Sequence, residues 1–203
     1  MVENIHWLGH ASFKITGEKT VYIDPWKLKD GEPADIILIT HDHYDHLSPE
    51  DIAKIATDKT WIVTTPDAGA KLKGNIKTVK PGDSITVEGI KIEAVPAYNV
   101  NKSFHPKANN WVGFIVTINN KRIYHTGDCD FMPEMKNIKA DIVLMPVGGT
   151  YTMTAEEAAN AVNTINPEVA IPMHYDDIVG SKADAEKFRD LCRSPVVIKT
   201  PEN

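Results

Sequence analysis

At 203 residues, 42% of them hydrophobic and 25% charged, the chain has the length and apolar content to bury a core, and one domain spanning 1–203 is expected. The net charge of −6 carries no basic stripe of the kind that grips a phosphate backbone, which argues against nucleic acid as a partner. No apolar run approaches the roughly 20 residues of a membrane span, and Met1-Val2-Glu3-Asn4 opens neither a basic nor an apolar leader, so a cytoplasmic protein without a membrane partner is expected.

In chain order, residues 4–8 and 12–16 alternate apolar and polar side chains as strands do, and Thr20 to Asp24 forms a third after the turn Thr16-Gly17-Glu18-Lys19. Asp35 to Ile39 is nearly all apolar, which predicts a strand covered on both faces. Ser48-Pro49 reads as a cap with proline at the first helical position, giving a helix over 49–57. A strand at 60–64, a helix opened by Pro66-Asp67, and strands near 76–79, 84–87 and 89–95 follow, then a loop from Pro96 to Asn110. Strands 111–116 and 122–126 form a hairpin turned by Asn119-Asn120, a pair that tolerates positive φ.

Asp141 to Met145 predicts a buried strand, and Thr154-Ala155-Glu156-Glu157 a capping box for a helix with Ala158, Ala161, Val162 and Ile165 on one face. Strand 168–171, a helix capped by Ser181 that buries Ala185, Phe188, Leu191 and Cys192, and a closing strand at 196–198 complete the chain. Mixed sheet followed by strand–helix alternation, twice over, predicts an α/β protein with two sheets face to face and helices outside. The two cysteines, Cys129 and Cys192, are far apart and suit reduced thiols, with Cys129 beside a site residue and a point to watch for oxidation.

The densest chemistry is His41-Asp42-His43-Tyr44-Asp45-His46, placed directly after the apolar strand. On an extended continuation His41 and His43 point the same way and can share a metal ion, while Asp45 and His46, in the turn before the helix, can be redirected to a second. Imidazole nitrogen with carboxylate oxygen suits zinc first, with manganese or iron as alternatives.

Thr40 to Ser48, T-H-D-H-Y-D-H-L-S, resembles the signature of the metallo-β-lactamase fold superfamily. Trp7-Leu8-Gly9-His10 and Ile23-Asp24-Pro25-Trp26 resemble its branch of small metal-dependent hydrolases, which includes ascorbate-phosphate lactonases. The resemblance covers essentially the whole chain. It implies a four-layer αββα sandwich, two divalent metal ions at one edge between the sheets, Asp128 as the bridging carboxylate, and His174 joining Asp45 and His46 on the second ion.

The third ligand of the first ion is less direct, because relatives place a histidine where this chain has Tyr98 and Asn99. His105, in the same loop, is the nearest candidate; His125 is the rival, and its strand position favours a supporting hydrogen bond. His10 follows Gly9 in a turn that the resemblance puts near the metals, where it contacts substrate or a ligand, although a surface-turn histidine fits equally. Asp24 either holds a ligating imidazole or starts a turn before Pro25. His6 carries no functional reading.

A metal lowers the pKa of bound water toward about 7, so hydrolysis by activated water is the expected chemistry, with Asp45 orienting the nucleophile. Backbone N–H groups of Gly148-Gly149-Thr150 could meet charge developing on oxygen, or simply make a turn. The loop residues Tyr98, Asn99, Asn101, Lys102, Lys107, Asn109 and Trp111 mix donors, cations and aromatic faces, which suits a small anionic ester, lactone or related substrate. A phosphodiesterase using the same site and a non-catalytic metal-binding or regulatory protein are the alternatives. A homo-oligomer is left open.

Overall fold

The computed structural model describes residues 1–202. Its first sheet comprises β1 (Ile5–Gly9), β2 (Ser12–Ile15), β3 (Val21–Ile23), β4 (Ile36–Ile39), β5 (Trp61–Thr64) and β6 (Asn75–Thr78), side by side in sequence order. β1 to β3 are antiparallel; from β3 onward neighbours are parallel, with α1 (Pro49–Ile55) and α2 (Pro66–Gly69) in the crossovers.

The second sheet comprises β7 (Ser84–Val87), β8 (Ile90–Pro96), β9 (Val112–Ile118), β10 (Lys121–His125), β11 (Ile142–Pro146) and β12 (Val169–Met173), again with sequential neighbours. β7 to β10 form an antiparallel meander, and β10 to β12 are parallel, with α3 (Ala155–Ile165) crossing between β11 and β12 and α4 (Lys182–Leu191) after β12. Among the described residues no helix is long and apolar enough to cross a membrane.

The continuous apolar run of β4 is explained by period-2 alternation between two cores. Ile36 and Leu38 point between the sheets, with Phe13, Ile23, Ile92, Phe114 and Val116, whereas Ile37 and Ile39 pack outward against Leu47, Ile52 and Ile55 beside α1. On the far side α3 buries Ala158, Ala161, Val162 and Ile165. Helix, sheet, sheet, helix is the four-layer sandwich, and each fully buried Ile, Val or Phe contributes about 1.5–3 kcal/mol.

Local signals agree with this arrangement. The Ser48 hydroxyl accepts from the Asp51 N–H, Thr154 and Glu157 form a reciprocal capping box, and Asn119 and Asn120 take φ of 49° and 59° in the β9–β10 hairpin. Two details depart from the sequence reading. The expected strand 196–198 is reduced to one bridge, Ala170 with Val196. Ala170 donates to Pro195 and accepts from Val197, but the next rung would need an N–H from Pro172, which has none. Helix α4 buries Ala185 and Phe188 but ends at Leu191, which is 45% exposed with no further turn to hold it inward, and Cys192 is only half-buried.

This topology gathers the chemistry. β8, β10, β11 and β12 all run in one direction, so the loops after them leave the same edge of the second sheet. Those loops carry His105, Asp128, Gly148 and His174; the β4–α1 loop of the facing sheet supplies His41 to His46.

Candidate metal centre

The site is built outward from Asp24, a fully buried carboxylate at the end of β3 with a left-handed φ of 45°. It accepts hydrogen bonds from the Thr40 N–H (2.8 Å), the Thr40 hydroxyl (2.7 Å) and His46 Nδ1 (2.7 Å). Because the Thr40 hydroxyl proton goes to Asp24, His41 Nδ1, 2.9 Å from that oxygen, must donate to it. Both imidazoles therefore carry the proton on Nδ1 and turn an Nε2 lone pair inward. The two readings of Asp24 resolve in favour of the histidine support.

On the facing loop Asn99 does the same for His105. Its Oδ1 accepts from the His105 N–H (2.9 Å) and from Nδ1 (3.0 Å), while its Nδ2 donates to the Tyr151 carbonyl (3.0 Å). His105 Nε2 then lies 3.3 Å from Asp128 Oδ2, an oxygen also 3.1 Å from His174 Nε2; Asp128 Oδ1 is 3.3 Å from His46 Nε2. His43 Nδ1 faces His41 Nε2 at 3.1 Å, and Asp45 Oδ2 is 2.9 Å from His10 Nε2.

Ligand-bearing atoms thus gather as His41, His43 and His105; as His41, His46 and Asp128; and as His10, Asp45, His46 and His174, each set within 4.8 Å. The arrangement fits metal ions for a physical reason. His46 Nε2, His105 Nε2, Asp128 Oδ1 and both His174 ring nitrogens are buried without a hydrogen-bond partner, and buried polar atoms left so are costly unless a cation meets them. The donors are nitrogen and oxygen only, as open zinc, manganese or iron sites use.

Charge follows the same geometry. Burial pushes the His41 pKa well below its usual value, favouring a neutral ring. Burial would raise the Asp128 pKa, but the charges of His174 and His46 and the close approach of His105 and His174 outweigh it and hold the carboxyl well below the usual range. For Asp45 the His10 hydrogen bond likewise overcomes burial and brings the pKa to about 2. His46 moves upward, burial being outweighed by Asp128 and Asp24, so a proton and a cation compete for its Nε2.

Other expectations land elsewhere. His125 has both nitrogens engaged, Nε2 with the Ala11 carbonyl at 2.8 Å and Nδ1 with the Gly127 N–H at 3.1 Å, and it stitches the two sheets together. His10 is buried beside Asp45 with its ring 3.9 Å from that of His174, and it is absent from the lining of the cavity over the centre. Lys102 pairs with Asp130 at 2.6 Å, and Lys107 and Tyr98 meet on Glu134, because those carboxylates lie nearer than the pocket. Asn99 is occupied with His105. Trp111 packs on the rings of His41 and His43 and donates to Asp67 at 2.6 Å. The Gly149 N–H goes to the Met153 carbonyl, as in a plain turn. Cys129 is fully buried and burial pushes its thiol pKa upward, which removes it as an oxidation point.

A cavity of about 250 Å³ opens over the centre, lined by His43, Tyr44, Asp45, Phe104, His105, Asp128, Tyr151, His174 and Ile178. A larger cleft of about 380 Å³ between Trp7, Tyr175 and the C-terminal residues holds none of these histidines. Nothing in the local sequence marks Tyr151 or Ile178 for this cavity, whereas Tyr44 and Phe104 each adjoin a histidine of the site.

Comparison with known proteins agrees with this geometry. The family described as a beta-lactamase superfamily domain matches residues 4–174. A UPF0173 metal-dependent hydrolase of Thermoplasma acidophilum is 36% identical, covering 92% of this chain and 89% of its own. Another from Pyrococcus abyssi is 36% identical, covering 97% and 96%. A solved structure from Parabacteroides distasonis, described as a metal-dependent hydrolase, superimposes with a TM-score of 0.87 at 35% identity, over 96% of this chain and 91% of that one. A metallo hydrolase of Ignicoccus hospitalis shares the fold at 23% identity with a TM-score of 0.82, over 98% and 95%.

Two facing sheets flanked by helices, with a histidine–aspartate cluster at their common edge, define a hydrolase of the metallo-β-lactamase fold. The chain belongs to the beta-lactamase superfamily and, within it, to the UPF0173 metal-dependent hydrolases.

Proposed function

We propose that the chain hydrolyses a small ester or lactone at a centre for two divalent metal ions, zinc first and manganese or iron as alternatives. One observation carries the reading. The Asp128 carboxylate lies within 3.3 Å of histidines from three separate loops, His46, His105 and His174, at the floor of a cavity. His41, His43 and His105 would hold one ion, Asp45, His46 and His174 the other, and Asp128 would bridge them. When bound, such a pair supplies a water that ionises near neutral pH and a Lewis acid at the acyl oxygen.

The remaining work falls to the chain. Asp45 lines the cavity as an ionised carboxylate, so it is placed to accept a hydrogen bond from the attacking water and orient it. His10, held to Asp45 at 2.9 Å from the buried side, fixes that carboxylate and is a positioning residue. Asp24 and Asn99 set the tautomers of His41, His46 and His105, and Trp111 packs against the rings of His41, His43 and His105. With Lys102 and Lys107 paired outside the cavity, no lysine or arginine in its lining adds to the metal ions in holding a phosphodiester, which favours the ester or lactone.

Elemental analysis of protein purified without chelator tests the reading, beside turnover of an ester and lactone panel. Two ions per chain, fewer in Asp128→Ala, and activity removed by chelation and restored by Zn²⁺ or Mn²⁺ are expected. Protein that takes up neither ion, or turnover indifferent to chelation, would overturn it.

A further inference from the structure

Lys27, Lys71, Lys102 and Lys107, on loops around the cavity, are each paired with a carboxylate, and no lysine is among the residues that line it. Lys27 meets Asp177 at 2.9 Å, Lys71 meets Asp42, Lys102 meets Asp130 at 2.6 Å and Lys107 meets Glu134 at 3.0 Å. What faces the opening is apolar. Tyr44 is 69% exposed and Phe104 45% exposed, two of the most exposed large hydrophobics among the described residues, and both line this cavity. Phe104 meets Tyr151 edge to face with centroids 4.8 Å apart, and Ile178 also lines the cavity. Solvent-exposed aromatics gathered over a polar floor are the pattern of a ligand-binding mouth.

We infer that the mouth formed by Tyr44, Phe104, Tyr151 and Ile178 binds a neutral, flat apolar group, so that the substrate is an uncharged aryl or arylalkyl ester or lactone. The inference rests on the hydrolase reading and departs from the anionic substrate that the loop composition led us to expect. A carboxylate carried away from the scissile bond would lose its hydration against aromatic carbon with no cation to meet it. A ring of similar size would instead bury its faces there and gain edge-to-face contacts. Asn99 joins mouth and floor, since its amide ties the Tyr151 carbonyl to His105.

The test compares benzyl acetate with 4-(acetoxymethyl)benzoate, which bear the same acyl group and differ by a remote carboxylate, on zinc-loaded protein. A preference of about tenfold or more in kcat/KM for the neutral ester is expected, the discrimination that a pocket of this kind gives. Phe104→Ala with Tyr151→Ala should erase most of that preference while metal content stays at the parental level. Binding of 4-phenyl-2-butanone, the non-hydrolysable carbon counterpart of benzyl acetate, is followed separately by NMR shifts of the cavity residues. Equal or better turnover of the charged ester, or no binding of the ketone at the mouth, would overturn the inference. Ketone binding without hydrolysis of either ester would uphold the mouth and overturn the hydrolase reading instead.

Discussion

Replacing Asp24 by asparagine isolates the part that one buried carboxylate plays in arming the centre. Asparagine tolerates the left-handed φ of 45° that this position requires, so the backbone should be retained. The amide cannot accept at both ends. With its oxygen kept on the Thr40 N–H, its NH₂ faces His46 Nδ1 and the Thr40 hydroxyl, which at present both donate to Oδ2. His46 would shift its proton to Nε2, and the Thr40 hydroxyl would turn its own proton toward His41 Nδ1, 2.9 Å away, shifting that ring too. Two inward lone pairs are lost through a residue that touches no metal.

Loss of a supporting partner of this kind costs 10–100-fold in metal affinity by general experience, about 1.4–2.7 kcal/mol, and two coupled rings put Asp24→Asn at or beyond the upper end. The metal-free protein should lose only about 1–3 kcal/mol of stability, because most of the hydrogen bonds are re-formed with reversed direction. Zinc affinity by competition with a chromogenic chelator, alongside ¹⁵N chemical shifts of the two imidazoles, measures both effects. Parental affinity with Nδ1-protonated rings would refute the reasoning.

Further predictions separate ligands from supports. His105→Ala should lower metal occupancy, whereas His125→Ala should keep it and lower the melting temperature, since His125 bridges Ala11 and Gly127; elemental analysis and calorimetry on both variants decide. A methyl added at Gly148 would run into the His174 carbonyl oxygen and meet Val179 at 3.0 Å, so Gly148→Ala should cost about 1–3 kcal/mol and reduce metal retention in the same sample. Asp51 accepts from the Lys27 N–H (2.8 Å), the Leu28 N–H (3.0 Å) and the Lys54 ammonium (2.8 Å), and although burial raises its pKa these contacts hold it below the usual value. A depressed folded-state pKa gives stability that is complete above the unfolded value near 3.9 and is lost as pH falls through the folded one. Melting temperature should therefore fall less steeply below about pH 4 in Asp51→Asn than in the parent; parallel profiles would refute the assignment.

Much of this molecule follows from neighbours in the chain. The β4 run, the Ser48 and Thr154 caps, the Asn119-Asn120 turn and the density of histidine after β4 are local facts, since alternation, capping and ligand spacing act over a few residues. Four layers and the role of Asp128 came from resemblance to a known family, and the architecture agrees. Tertiary structure alone decided the matters that depend on which loops meet. Strand position already set His125 behind His105, but only the fold shows their partners: His105 has its Nδ1 held by Asn99 and its Nε2 inward, and His125 is bonded at both nitrogens. Lysines at 102 and 107 read as substrate cations until Asp130 and Glu134 are seen beside them, and Asp24 reads equally as a turn or as a histidine support until His46 and Thr40 fold over it. The strand expected at 196–198 stops at one bridge because Pro172, on the neighbouring strand, has no N–H to offer. Sequence determines which groups a loop carries; long-range packing determines which partners they find, because hydrogen bonds and ion pairs form with whatever group lies nearest in space.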